Sequence, residues 1–495
     1  MSLRGKQILS KLAFIVIYSY FFIISFLIIP VGDDFFWWGK KGMYLLQHNF
    51  YSPKPIFDGS SNGRYLGNLS EMLIMHSSVF AAVIYASTIT LFIWCIWELF
   101  NKGTIQLVLA LSFFVISQLG YIQHIYVWFA GFINYFPPIS LLLLFIVLFK
   151  KYIETQKRLP ILIYLFIPLI GGLFIEHMTL YQVLIGIIAT LLILFMNNKL
   201  SLAPTIAYTI GGLISSFIMF SNESYHHASD HYKKVSFSFE KFVDNFTNIT
   251  HFWIITFNWI IIAIICLSII VIAASKVKNK ITKYTLMTLS FLFAAYYVSI
   301  NIYIQLNYHI NIYFYKITKL NHDFAKIDSW IGVAFVIFLI LATFIIFNSF
   351  KHIDAYFYLF SFIALAVPFF FILAPMFVRE YFSSFIFLFI LAIKYLTEAI
   401  SLAKPNVIKC LTVLFSIFII VTYSLVMFMM TTNYQVNTKR VQSESFIYKS
   451  KLLKKHVPYP EYVFLNDMPI MQSSSYWKNK MTFKTEDYFF NNYYK

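Results

Sequence analysis

Charge is what this chain has least of. Only 12% of its 495 residues are Asp, Glu, Lys or Arg, against 60% hydrophobic and 20% aromatic, and its mean hydropathy is +0.72. That scarcity excludes an ordinary soluble domain. Acidic residues are scarcer than basic ones, 21 against 38, for a formal net charge of +17. The basic residues are spread among short segments between apolar runs instead of being gathered in one domain. They therefore read as membrane topology and contact with anionic lipid, with no nucleic-acid partner. The three cysteines, Cys95, Cys266 and Cys410, lie in or beside apolar runs, and no disulfide or metal scaffold follows from them. There is no convincing glycine-rich nucleotide loop, no low-complexity tract and no clear internal repeat. Nor does a small-residue cleavage signal follow the first apolar run, which Arg4, Lys6 and Lys11 precede, so a retained first helix is expected.

What is present is a series of apolar runs of about 20 residues, each long enough to cross roughly 30 Å of hydrocarbon. They fall near 12–30, 72–98, 103–120, 132–149, 159–176, 178–197, 202–220, 251–274, 283–304, 329–349, 355–375, 378–399 and 409–431. The expectation is an all-α polytopic membrane protein of about 13 transmembrane helices. Alternate connections are basic: Lys102; Lys150, Lys151, Lys157 and Arg158; Lys199; Lys276, Lys278, Lys280 and Lys283; Lys351; Lys394, Lys404 and Lys409. By the positive-inside rule these are cytoplasmic, which predicts a cytoplasmic N-terminus and an extracytoplasmic C-terminus. Two pairs, 159–176 with 178–197 and 355–375 with 378–399, have almost no loop between them and read equally as broken or re-entrant helices. The expected division is a multispan catalytic domain over 1–431 and an extracytoplasmic tail or small module over 432–495. In the tail, Val457-Pro458-Tyr459-Pro460 reads as a turn and Tyr462-Val463-Phe464-Leu465 as a strand.

The polar residues that break the apolar pattern collect in the connections assigned to the outer side. Gly32-Asp33-Asp34-Phe35-Phe36-Trp37-Trp38 opens the first outer loop, 31–71, which continues as a folded segment with an interfacial helix near 38–48. Adjacent carboxylates at that depth are costly unless something uses them. One can act as a general base toward a hydroxyl, and a second can orient a sugar hydroxyl or bind a divalent cation; the plain alternative is helix capping. Neighbouring side chains in an extended segment face different ways, so Asp33 and Asp34 are expected to differ in role. Asn62-Gly63-Arg64-Tyr65 follows, with Asn68 and Glu71 at the start of the next helix; Arg64 offers a planar donor fork for phosphate or a structural ion pair. The next outer loop contributes Gln123, His124, Trp128, Asn134 and Tyr135, which an aromatic belt would partly explain. Glu176-His177 interrupts the run from Leu159 to Met196 and is either functional or an internal pair between spans. Asn222, Glu223, Tyr225, His226, His227, Asp230 and His231 read as a surface loop, and Asn307, His309, Asn321, His322, Asp323 and Asp328 as another outer loop. Arg379-Glu380 after Pro375 returns a guanidinium to the side of the Asp pair, with longer-range partners favoured because adjacent helical side chains do not meet.

Outward placement, leading carboxylates, two arginines and aromatic rings suit transfer of a sugar from a membrane-held polyprenyl phosphate to a hydroxyl. Asp33 or Asp34 would deprotonate or orient the acceptor. Arg64, Arg379 and His177 would bind the donor phosphate, and Asn62, Tyr65, Trp128, Asn134, Tyr135 and Glu176 would line the substrate site. The opening Gly32-Asp33-Asp34-Phe35 after a lone N-terminal span resembles the polyprenyl-phosphate-dependent glycosyltransferase superfamily of fold type C, which has an acidic motif in its first outer loop. Asp33-Asp34, Asn62-Gly63-Arg64, Trp128-Phe-Ala-Gly131 with Asn134-Tyr135, Glu176, and Pro375 with Arg379 are similar to a bacterial multispan family catalogued as a domain of unknown function. That likeness runs over nearly the whole chain. It implies that Asp33 or Asp34 is the catalytic acid-base residue. The longer acidic signature and histidine-containing motifs of the protein-glycosylating members are missing, which points to a polysaccharide, teichoic acid or glycolipid acceptor. A transporter or flippase of a lipid-linked saccharide, or a non-catalytic partner in cell-envelope polysaccharide assembly, remains the alternative, although outer-face clustering and the missing repeat count against transport.

Overall fold

A computed structural model of the chain describes residues 3–57, 59–100, 102–196, 200–227, 238–308, 322–371, 377–442, 458–463 and 476. Among these residues every regular element is helical. In chain order the helices are α1 (Leu3–Phe26), α2 (Asp33–Trp38), α3 (Lys40–Gln47), α4 (Tyr65–His76), α5 (Ser78–Leu99), α6 (Thr104–Ile116), α7 (Leu119–Tyr126), α8 (Phe129–Thr155), α9 (Ile161–Gly171) and α10 (Glu176–Phe195). They continue with α11 (Ala203–Phe220), α12 (Phe239–Asn245), α13 (His251–Ile254), α14 (Trp259–Lys276), α15 (Lys280–Tyr308), α16 (His322–Ile346), α17 (Ile353–Ala366), α18 (Phe382–Ser401) and α19 (Pro405–Gln442).

This is an all-α polytopic membrane protein. Among the described residues 11 helices are long and apolar enough to cross a membrane, or 12 if α6 and α7, bent by 83° at their junction, count as one. The expected 13 spans are corrected at two places. The run 103–120 stops at Ile116, because Ser117 is extended (φ −63, ψ 136). The run 159–176 yields only the 11 residues of α9, about 17 Å of helix and roughly half a hydrocarbon core. Pro168 lies inside it, and the chain leaves the helix at Gly172. Three further readings change. The interfacial segment is two short helices, α2 and α3, and not one near 38–48. The last span continues to Gln442, beyond 431. Tyr462, expected in a strand, belongs to a 3-10 turn, Pro460–Tyr462, entered through left-handed Tyr459 (φ 52); Phe464 and Leu465 lie outside the described residues.

Contacts divide the chain into two compact units. The first comprises Met1–Cys95, Ile122–Tyr232 and Thr422–Lys495; the second comprises Ile96–Tyr121 and Lys233–Val421. In the first unit α8 is the most enclosed helix, with every residue from Phe129 to Ser140 buried. Its sequence there is apolar on all sides, as an enclosed helix requires. By contrast Phe217 of α11 is 77% exposed, which is the lipid-facing pattern of a membrane helix. At the far end of α8 the Tyr152 hydroxyl donates to the Ser201 carbonyl (2.9 Å), tying that end to the connection before α11. At the near end Leu66 N–H donates to the Leu173 carbonyl just beyond α9 (3.0 Å). Short as it is, α9 therefore carries the chain from one end of this unit to the other.

In the second unit α14 packs on α15 and on α18, and α17 packs on α18. Every residue of α18 from Phe382 to Ile393 is buried. Charged groups appear toward helix ends, where Lys394 pairs with Asp354 (2.7 Å) and Lys276 with Glu398. The long apolar stretch Phe239–Lys276 is interrupted: a π-helical turn covers Phe246–Thr250, Ile255 leaves helical geometry (φ −123, ψ −71), and a 3-10 turn covers Thr256–Asn258 before α14 starts.

Candidate functional site

One end of the first unit gathers the polar residues. The turn from α1 into α2 passes through Gly32 at φ 62, a left-handed conformation that a side chain would strain. Asp33 and Asp34 then form the first turn of α2, where the helix N-terminus favours negative charge. They face opposite environments: Asp33 is exposed and Asp34 is fully buried. Asp34 Oδ2 accepts the Val31 N–H (2.9 Å), and its Oδ1 accepts the Ala130 N–H (2.9 Å) near the start of α8. Trp128 Nε1 donates to the Val31 carbonyl (3.1 Å), fixing the same turn from the other side. Asp34 thus caps α8 and its own turn, and Trp128 holds that arrangement. Burial pushes the Asp34 carboxyl up to about 8, against the pull of the two backbone N–H groups and with a further push from Asp33.

Arg64 stands immediately before α4. Its Nε donates to both carboxylate oxygens of Glu176 (2.9 and 3.0 Å), and its Nη2 lies 2.9 Å from Glu176 Oε2. Tyr225 completes the group by donating its hydroxyl to Glu176 Oε1 (2.6 Å) and accepting the Gly63 N–H (3.2 Å). The Arg64 and Glu176 side chains are 29% and 23% exposed, and no hydrogen bond from a described residue occupies Arg64 Nη1. Burial lowers the affinity of the Arg64 guanidinium for its proton, but adjacent Glu176 more than reverses this, so the group stays cationic. Gly63 is required by contact: a Cβ there would run into the Met219 carbonyl oxygen at the end of α11. Asn62 braces the loop, its Oδ1 accepting from the Arg64 N–H and from Asn68 Nδ2 (3.0 Å each). Asn222 Nδ2 donates to the Asn49 carbonyl (3.0 Å) and to the Tyr65 hydroxyl (3.1 Å).

Glu71 of α4 interacts electrostatically with both the acidic turn and Arg64. It is 1% exposed, and neither carboxyl oxygen has a hydrogen-bond partner among the described residues. Burial raises its proton affinity well above the usual carboxylate range; Asp34 and Asp33 raise it further while Arg64 opposes them. Glu71 therefore feels the carboxylate pair and the cation at once. Asn134 Nδ2 donates to the Ala130 carbonyl one turn back (2.8 Å), while its Oδ1 is buried against Gly67 without a partner among the described residues. Tyr135 is buried with its ring centre 6.2 Å from that of His177. From the tail, Tyr476 packs edge-on against Phe35 and Trp38, at 5.5 Å from each ring.

Ten of the expected site residues therefore share this end: Asp33, Asp34, Asn62, Arg64, Tyr65, Trp128, Asn134, Tyr135, Glu176 and His177. Arg379 belongs to the second unit, where its guanidinium lies 4.5 Å from the centre of the Phe377 ring and Glu380 Oε2 accepts the Phe377 N–H (2.6 Å). Pro375, Asp230, His231, His309 and Asn321 fall outside the described residues. Two loop readings are corrected. Asn222 is buried and Tyr225 bonds Glu176, so the first of these segments is not simply surface; Asp328, expected in an outer loop, is fully buried in α16. Sequence reasoning gave no role to Glu71, Tyr225 or Tyr476. Glu71 carried a signal, as a carboxylate in an apolar helix, whereas the two tyrosines were indistinguishable from the many other aromatic residues. Among the described residues no group of three or more His, Cys, Asp or Glu side chains is placed to hold a metal ion. No family model, curated protein or solved structure matches the chain.

Proposed function

We propose that the protein transfers a sugar from a polyprenyl-phosphate-linked donor to a hydroxyl of a cell-surface glycan, teichoic acid or glycolipid on the outer face of the membrane, as the fold type C glycosyltransferases it resembles do. What supports this reading above all is the neighbourhood around Glu71, which feels both an exposed carboxylate, Asp33, next to buried and hydrogen-bonded Asp34, and a cation, Arg64, whose Nη1 carries no hydrogen bond from a described residue. Asp33 deprotonates the acceptor hydroxyl, and Asp34 positions it by anchoring α2 to α8. Arg64 contacts the donor phosphate through Nη1 while Glu176, itself bonded by Tyr225, holds Nε and Nη2, an arrangement in which a planar guanidinium serves a carboxylate and a phosphate at once. His177 and Tyr135 lie alongside as phosphate and sugar contacts. Arg379 has no part in this proposal.

The experiment uses purified full-length protein, a radiolabelled polyprenyl-phosphosugar and membrane acceptor. Asp33→Asn is expected to lower transfer by about 100-fold or more while leaving the protein folded, as loss of a general base does. Undiminished transfer by Asp33→Asn would remove Asp33 from catalysis. The second reading, a transporter of lipid-linked saccharide, is favoured by the interrupted stretch Phe239–Lys276, since transporters build sites at broken helices. Translocation of intact donor across proteoliposomes, without release of polyprenyl phosphate, would establish it instead.

A further inference from the structure

The interruption at Phe246–Asn258 in the second unit is fully built. Backbone that leaves the helix inside a membrane is tolerated only where other groups satisfy it. Here the Trp253 carbonyl accepts from Gln118 Nε2 (3.0 Å) and Asn258 Nδ2 (2.9 Å), the Ile254 carbonyl from Asn258 Nδ2 (3.0 Å), and the Thr256 carbonyl from Asn301 Nδ2 (2.7 Å). At its centre are two ionisable side chains with no exposure at all: His251 Nε2 lies 3.1 Å from Asp328 Oδ2. π-Helical turns such as Phe246–Thr250 concentrate at functional sites, and ionisable groups at membrane depth do the same.

His251 Nδ1 faces the Phe246 carbonyl at 2.7 Å, and a carbonyl only accepts, so Nδ1 carries a hydrogen. Asp328 accepts from two hydroxyls, Thr256 Oγ1 on Oδ2 and Tyr296 on Oδ1 (2.7 Å each), which favours the ionised carboxylate. A bare Nε2 lone pair held 3.1 Å from that carboxylate would set electron pair against electron pair, so Nε2 carries a hydrogen too. The contact is bent, and is better described as a charge pair than as a straight hydrogen bond. No lysine or arginine pairs with Asp328 among the described residues.

We infer that His251 and Asp328 form a proton-binding site at the break: a buried imidazolium–carboxylate pair, neutral as a whole, that fastens the interrupted segment to α16 and loses that fastening when its proton leaves. Deprotonation would leave a single buried negative charge facing a lone pair. Among the described residues, the titratable groups nearest the pair are Tyr296, which bonds Asp328, and Tyr297, which feels it, with Cys266 next to Tyr297 and Tyr381 bonded to Thr250 (2.8 Å), the residue before His251. Tyr297 feels the Asp328 charge and borders the same part of the fold. Its buried hydroxyl has no partner among the described residues, and it lies 3.9 Å from where a Cβ on Gly332 would sit, with His251 Cβ 4.0 Å from the same point.

The test is nitrogen NMR of full-length protein in nanodiscs with 15N-labelled histidine rings, the His251 signal being assigned by its loss in His251→Gln. From the hydrogen-bond geometry, both ring nitrogens are expected to carry a hydrogen in the unaltered protein. Asp328→Asn should return the ring to the neutral form. If that variant does not fold, Tyr296→Phe, which removes one donor from the carboxylate, should shift the ring's protonation in the same series. A neutral His251 ring at pH 7 in the unaltered protein overturns the proposal, as does a ring whose state is the same with and without the Asp328 charge.

Discussion

Asp33 and Asp34 are neighbours in sequence with separate environments. Asp34 has both oxygens engaged by backbone N–H groups and is shut off from solvent, whereas Asp33 is exposed. A residue that caps a helix across 96 positions of chain is a positioning residue, which leaves Asp33 as the base in the proposed reaction. Asp34 also makes stability depend on pH with a definite sign. Its folded proton affinity rises from the ordinary 3.8 to about 8, so between those values the folded state holds a proton that the unfolded chain has released. The stabilisation is fully present below pH 4 and is lost as pH rises through 8. Buried Glu71 is shifted in the same direction. The thermal midpoint is therefore expected to fall between pH 5 and pH 8.5, and more gently in Asp34→Asn and in Glu71→Gln, by scanning calorimetry in one detergent. A midpoint that climbs over this interval would contradict the sign.

Elements that are unremarkable alone become a site through the way their ends meet. The loop before α4, the start of α10 and the turn after α11 converge because Gly63 lets the Met219 carbonyl approach its backbone, and Tyr225 then reaches both the Gly63 N–H and Glu176. A methyl group at Gly63 must displace backbone rather than a flexible side chain. Gly63→Ala is accordingly expected to cost about 1–3 kcal/mol, the usual cost of overpacking, read as a lower thermal midpoint. It should also weaken the hold on Arg64, since the Tyr225 bond to the loop moves with it. Unchanged stability would show that the α11 end yields more easily than its geometry implies. Sequence periodicity foresaw most of the spans but not α9, because 11 helical residues with their non-helical flanks look from composition like one longer run.

At the scale of the whole molecule the remaining question is which end faces outward. The distribution of basic residues predicts that the end bearing Asp33 and the turn after α11 faces outward and the end bearing Gln156 faces the cytoplasm. Single cysteines at Asp33 and His226, in a chain with Cys95, Cys266 and Cys410 replaced, should react with an impermeant thiol reagent added to intact cells, and one at Gln156 only after permeabilisation. Labelling in the reverse sense would invert the topology and remove an outer-face acceptor.

Sequence alone determined that the chain is a multispan α-helical membrane protein, because apolar length and scarce charge are local properties that survive without knowledge of any contact. It also picked out Asp33, Asp34, Arg64 and Glu176, since charge in an apolar background is costly wherever it lies. Only the tertiary structure decided that Asp34 is sealed and Asp33 exposed, that Glu176, bonded by Tyr225, holds Arg64, and that Asp328 of α16 pairs with His251 in the interrupted stretch. Burial and partnership arise between residues tens to more than a hundred positions apart, and no local pattern of residue types records which of many tyrosines or histidines will arrive beside a given carboxylate.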